Sequence, residues 1–293
     1  MAKFVQAHGR VPDSELVVLA LGRLGGRALT HASDLDLIYL FTGDHLAESD
    51  GPRPLGATTY YNRLAQRVTG AMSVPTAAGK LYDVDTRLRP QGAQGPLVVT
   101  LDSFERYQRE EAWTWEHMAL LRARPVYGSD RAKAAVQRVI DELLAVPRDG
   151  AKIATDAAEM RDKIAAHKPP QGPLDIKGGP GGLVDLEFAM QVTQLATGKC
   201  HDPNIGSALA CLKVDGLAPA EICDAYGLLA RMLVMLRLTA PEGEPATAAA
   251  RQLVASACGE PGWPQLLAGH DAARQEIADW WSSIRPTEQE TSP

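Results

Sequence analysis

Five residues between positions 25 and 36 have the types and spacing to do chemistry. The glycine pair Gly25 and Gly26, followed by Ser33, leads into Asp34 and Asp36 at the mouth of the apolar run Leu35–Phe41. Residues two apart in a strand point to the same side, so Asp34 and Asp36 are expected to present their carboxylates together. Two such carboxylates repel unless a cation lies between them, which makes the pair a natural site for a hard divalent ion. Glycines let backbone N–H groups come close to a phosphate. Metal-holding carboxylates beside a phosphate cradle imply nucleotide chemistry.

A second string, Tyr82-Asp83-Val84-Asp85-Thr86-Arg87-Leu88-Arg89-Pro90, extends this constellation. Strand alternation predicts Asp83, Asp85, Arg87 and Arg89 on one face and Tyr82, Val84 and Leu88 on the other. Beside the Asp34/Asp36 strand, it adds a third carboxylate, Asp85, and two guanidinium groups, with Asp83 at the edge and outside the metal set. Three carboxylates can hold two Mg²⁺ ions. The arginines offset phosphate charge with bidentate contacts.

The elements that must position these groups fall into two textures. Strands are expected at Glu15–Leu21, Leu35–Phe41, Leu81–Leu88 and Leu97–Leu101. Tyr61, Leu64, Ala65, Val68 and Met72 fall at helical spacing, and a further helical stretch is expected from about Asp102 to Met118. From about Ser129 the pattern is helical throughout. Val136, Val139, Ile140, Leu143 and Leu144 form one stripe, and Ile222, Tyr226, Leu229, Leu233 and Leu236 a longer one. Leu266, Ala273, Ile277, Trp280 and Ile284 mark a last helix. The expected layout is α+β: a mixed sheet with helices over residues 1–128, then an all-α bundle over 129–293.

Composition narrows the class. The 293 residues are 45% hydrophobic and 23% charged, which is globular and not disordered. A net charge of −6 argues against broad nucleic-acid binding, since phosphate backbones want a basic face. No apolar run approaches a membrane span and no signal-peptide core opens the chain, so a cytoplasmic protein with no membrane partner is expected. Cys200, Cys211, Cys223 and Cys258 are scattered, and they read as small hydrophobes in a reducing compartment, with neither disulfide nor zinc.

The Gly-Gly…Ser-Asp-Leu-Asp-Leu run resembles the nucleotidyltransferase superfamily. Four longer strings, Val84–Pro90, Phe104–Gln108, Glu110–His117 and Ile176–Phe188, are similar to the bacterial glutamine synthetase adenylyltransferases. That family carries two related halves, one removing AMP from glutamine synthetase by phosphorolysis and one adding it. The string Glu110-Glu111-Ala112-Trp113-Thr114-Trp115-Glu116-His117 and the early chain end match the adding, C-terminal half. The resemblance runs from about Val17 to Ile284 and implies a chain of about half the usual length. It implies Asp34, Asp36 and Asp85 as catalytic metal ligands for Mg²⁺, in two ions. Gly25, Gly26 and Ser33 match the family's phosphate-side loop and Arg87 and Arg89 lie in its arginine motif; nucleotide contacts from the two arginines, and from Lys177 at a helix start, are expected from the residues themselves. The implied reaction moves AMP from ATP to a tyrosine hydroxyl of glutamine synthetase, releasing pyrophosphate, with the PII signal protein as a second partner. Three alternatives stay open: the AMP-removing half, a PII-modifying uridylyltransferase, and a non-catalytic chain that only binds glutamine synthetase or PII.

Other residues have blander expectations. Trp113 and Trp115 read as core and not as adenine platforms. Glu110, Glu111 and Glu116 read as a polar helix face, and His31 and His117 as satisfied or exposed. Arg23 and Arg27 flank the glycines, as phosphate contacts or in a solvated loop. Lys177 and the glycines up to Gly182 stand at a helix start that would welcome an anion, or form a connector. Asp185 and Glu187 lie on an otherwise apolar helix and are expected at a cleft between the domains.

Overall fold

The computed structural model describes residues 2–77, 79–240 and 243–286, in two compact units, Met1–Val146 and Pro147–Pro293. The expected layout, an α+β part followed by helices, is the one found.

In the first unit, α1 (Ala2–His8) precedes β1 (Leu16–Ala20), and a one-turn helix, α2 (Gly22–Gly25), joins β1 to β2 (Leu35–Phe41). Then come α3 (Ala57–Ser73), β3 (Val84–Asp85), a short 3₁₀ turn at Gly92–Gln94, and β4 (Val98–Thr100). The unit closes with α4 (Leu101–Glu110), α5 (Thr114–Leu120), β5 (Arg124–Tyr127) and α6 (Asp130–Leu144). β1 runs antiparallel to both β2 and β5. Two short parallel strands share the other edge of β2. β3 pairs with its start, Leu35↔Val84 and Asp36↔Asp85, and β4 with its end, Tyr39↔Val98 to Phe41↔Thr100.

Alternation along β2 sends Leu35, Leu37, Tyr39 and Phe41 into a core with Phe4 of α1 and Tyr60, Tyr61 and Leu64 of α3. Ile38 and Leu40 are buried on the opposite face, so β2 is covered on both sides, and Asp36 shares their parity. Helix α6 carries the expected stripe, Val136, Val139, Ile140, Leu143 and Leu144, and packs on α4, α5 and β5 within this unit. The first compact unit therefore extends beyond residue 128 to take in α6.

Two expected elements differ from the structure. The strand expected over Leu81–Leu88 pairs only at Val84–Asp85, because the chain turns at Thr86. The helix expected over Asp102–Met118 is broken between Glu110 and Thr114. There Glu116, expected on a solvated face, is buried and caps α5: it accepts the Trp113 backbone N–H at 3.0 Å and the Tyr107 hydroxyl at 3.1 Å. That break turns Trp113 outward, 71% exposed, and leaves Trp115 half-buried, so neither belongs to the core. His117 is satisfied, its Nε2 lying 2.9 Å from the Gln108 carbonyl oxygen.

The second unit is helical: α7 (Gly150–His167), α8 (Leu183–Thr197), α9 (Ile205–Val214), α10 (Ile222–Thr239), α11 (Ala248–Cys258) and α12 (Trp263–Ile284). The α10 stripe buries Ile222, Leu229, Leu233 and Leu236 against α12, which supplies Leu266, Ala273, Ile277 and Trp280. Asp185 is buried in this unit. It accepts from Arg161 Nε at 2.5 Å and from the Gly181 backbone N–H at 2.6 Å, tying α7 to the start of α8.

The expectation that no cysteine is bridged is overturned by a disulfide between Cys200 and Cys211, whose Cα atoms lie 5.6 Å apart. They stand eleven positions apart in sequence. The turn after α8 brings Cys200 back beside α9, a pairing that no close Cys-x-x-Cys spacing announces. Cys223 and Cys258 are free, and Cys258 is buried. Among the described residues no helix is long and apolar enough to cross a membrane.

Candidate nucleotide and metal site

The α2 turn and the first pairs of β2 with β3 converge at one end of the sheet. Leu21 donates its N–H to the Asp36 carbonyl at 2.9 Å, and the chain enters α2 at Gly22 with φ +53°. A Cβ on Gly22 would sit 2.0 Å from Asp36 Oδ2, so the carboxylate lies directly against this backbone. That close approach needs glycine, and Gly22 went unnoticed in the sequence because it stands apart from the Gly25–Gly26 pair.

Gly25 and Gly26 serve the turn itself. Gly25 N–H donates to the Leu21 carbonyl at 2.9 Å, and Gly26 N–H to that of Gly22 at 3.1 Å. A Cβ on Gly25 would meet the Arg122 carbonyl oxygen at 1.9 Å, which gives this glycine a packing role. Two arginines unnoticed in the sequence pin the turn from the β5 side. Buried Arg122 donates from Nε to the Gly22 carbonyl at 3.1 Å. Arg124 donates to the carbonyls of Leu24, at 2.9 Å, and Gly25, at 3.1 Å. Arg124 has its pKa lowered by burial first and by the neighbouring Arg27 charge second. Arg23 reaches the Ala28 carbonyl at 3.3 Å. Ser33 closes the loop before β2, its Oγ accepting the Thr30 N–H at 3.0 Å and lying 2.8 Å from Thr30 Oγ1.

Asp36 and Asp85 are in register on adjacent parallel strands, while Asp34 stands exposed one residue before β2. The expected alternation beyond Asp85 fails with the strand. Arg87 folds back, donating from Nε to both Asp85 oxygens at 3.0 and 2.9 Å and from Nη2 to Oδ2, with its own backbone N–H on Oδ1 at 2.8 Å. This hydrogen-bonded guanidinium holds the Asp85 carboxyl below the usual carboxylate range, against the opposing effect of burial. Asp85, then Asp36 and Asp34, raise the pKa of Arg87, so all three carboxylates act on one cation. Arg89 ties the following loop together instead of joining that face, donating to the carbonyls of Thr86 at 2.7 Å, Ala93 at 3.2 Å and Gly95 at 3.2 Å. Asp83 lies at the edge, paired with Lys80 at 2.5 Å.

Among the described residues no three His, Cys, Asp or Glu side chains are gathered as a ligand set, and Asp85 is turned to Arg87. The donors are oxygen only, Asp36 and Asp85 on adjacent strands and Asp34 one residue before β2, the ligand type a hard cation takes.

Lys177 belongs to the second unit. Its side chain is exposed and its N–H donates to Asp175 Oδ1 at 3.1 Å. The start of α8 does not wait for an anion: the N–H groups of Leu183 and Val184 donate to the carbonyls of Ile176, at 3.0 Å, and Lys177, at 3.1 Å.

Comparison with known proteins places these features in context. Residues 1–139 match the family model for glutamate-ammonia ligase adenylyltransferase, and residues 157–279 that for GlnD PII-uridylyltransferase. Several curated relatives bear the name bifunctional glutamine synthetase adenylyltransferase/adenylyl-removing enzyme. That of Brucella suis biovar 1 (strain 1330) is 50% identical over 196 residues, covering 67% of this chain and 20% of the relative. That of Mesorhizobium japonicum is 44% identical over 247 residues, covering 81% and 25%. That of Rhizobium meliloti (strain 1021) is 45% identical over 214 residues, covering 72% and 22%. The matched stretch thus spans between 20% and 25% of these relatives' length, well short of the expected half.

Proposed function

This chain belongs to the glutamate-ammonia ligase adenylyltransferase family, and on that premise we propose that it transfers AMP from ATP to a tyrosine hydroxyl of glutamine synthetase. The observation that carries the proposal is the register Asp36↔Asp85, with the Gly22 backbone against Asp36 and the Arg87 guanidinium hydrogen-bonded to Asp85. The relatives' names join adenylyl addition and removal. The string Glu110–His117 supports addition for this chain. The uridylyltransferase match falls on residues 157–279, which do not include the three carboxylates, and so does not favour uridylyl transfer.

Asp34, Asp36 and Asp85 would hold Mg²⁺, which when bound supplies positive charge against the phosphates. Gly25, Gly26 and Ser33 shape the loop beside the phosphates, and Arg87 turns its guanidinium from Asp85 to a phosphate oxygen. A site carboxylate accepts the tyrosine proton as the phenolic oxygen attacks the α-phosphorus. The new bond is tyrosine O–P, the broken one joins the α-phosphorus to its bridging oxygen, and pyrophosphate leaves.

The test is transfer of label from α-³²P-ATP to purified glutamine synthetase with Mg²⁺. The native chain labels the synthetase, and Asp36→Asn lowers the rate by about a hundredfold or more. Equal labelling by the two proteins would remove Asp36 from the site and overturn the proposal.

A further inference from the structure

Arg87 is 79% exposed, yet it is not turned to water. The chain leaves β3 at Asp85, turns at Thr86, and returns Arg87 to the carboxylate it has just passed, with both backbone and side chain donating to Asp85. A guanidinium matches carboxylate and phosphate oxygens with the same planar fork, so the two are exchangeable partners. An ion pair this exposed is weak, which makes the exchange inexpensive.

Resting on the nucleotide-transfer reading above, we propose that Arg87 is an internal counter-cation, seated on Asp85 where a divalent ion would bind and released when a nucleoside triphosphate offers it a phosphate. Asp85 is then free to turn toward Asp36 and Asp34. A divalent ion alone must displace the guanidinium, whereas an ion arriving with nucleotide finds Asp85 vacated. Ion and nucleotide therefore bind with positive coupling, and the coupling is reciprocal. The device keeps Asp85 compensated between turnovers without leaving the site loaded with metal.

The experiment measures binding of Mn²⁺ by electron paramagnetic resonance on the full chain, with and without α,β-methylene-ATP, for the native protein, Arg87→Gln and Asp36→Asn. Thermal melting checks that the variants fold. Without nucleotide, Arg87→Gln is expected to bind Mn²⁺ about three- to fivefold more tightly than the native chain, the factor an exposed ion pair is worth. The analogue should tighten Mn²⁺ binding by at least that factor in the native chain and by less in Arg87→Gln. Equal Mn²⁺ affinity of native and Arg87→Gln proteins, with binding lost in Asp36→Asn, would overturn the counter-cation role and leave the nucleotide site standing. No Mn²⁺ binding by any of them, even with the analogue, would overturn both.

Discussion

At the scale of single residues, Gly22 concentrates the demands that the candidate site makes on the backbone. It combines a positive φ of +53° with a carboxylate oxygen 2.0 Å from where a Cβ would stand. Gly22→Ala should therefore cost about 1–2 kcal/mol from the left-handed backbone alone. Asp36 must also move aside. The expected result is a modest drop in melting temperature with a much larger loss of transfer activity. A fall in both by the same free energy would assign Gly22 to packing alone. The sequence makes Asp34, Asp36 and Asp85 legible because paired carboxylates at a strand mouth are chemically unusual. It hides Gly22, Arg122 and Arg124, whose part lies in main-chain contacts: Arg122 and Arg124 reach α2 carbonyls about a hundred residues away in sequence.

At the scale of elements, hydrophobic period located the strand Leu35–Phe41 residue for residue, because both its faces are buried. It misjudged β3, whose alternation continues in the sequence past the point where Arg87 and Arg89 find partners within their own turn. It also ran α4 into α5, since helical spacing is blind to a buried cap. Glu116 is that cap, and burial is the first cause of its raised pKa, from an ordinary value of 4.5. The native state thus holds a proton that the unfolded chain releases. Stability from this group is complete below pH 4.5 and is lost as pH rises through the higher folded value. Glu116→Gln keeps an acceptor for the Trp113 N–H and the Tyr107 hydroxyl but cannot ionise. Urea midpoints measured from pH 4 upward should fall more steeply in the native protein than in this variant. Parallel curves would place the titration elsewhere.

At the scale of the whole molecule, each compact unit closes its own core: Tyr39, Phe41 and Phe104 among the fully buried side chains of one, Leu186 and Met190 among those of the other. The two family matches divide the chain in the same sense, one within residues 1–139 and one within 157–279. Chains with separate cores need not unfold in a single transition. The buried pair Arg161–Asp185 offers a way to perturb one unit alone, with both side chains less than a tenth exposed. Arg161→Ala leaves Asp185 buried without its counter-charge, an imbalance that costs about 3–5 kcal/mol. Scanning calorimetry should show that loss in a transition belonging to Pro147–Pro293. Binding of Mn²⁺ with α,β-methylene-ATP, assigned to carboxylates of the first unit, should persist above that transition. Loss of both together would mean that the nucleotide site depends on the fold of the helical unit.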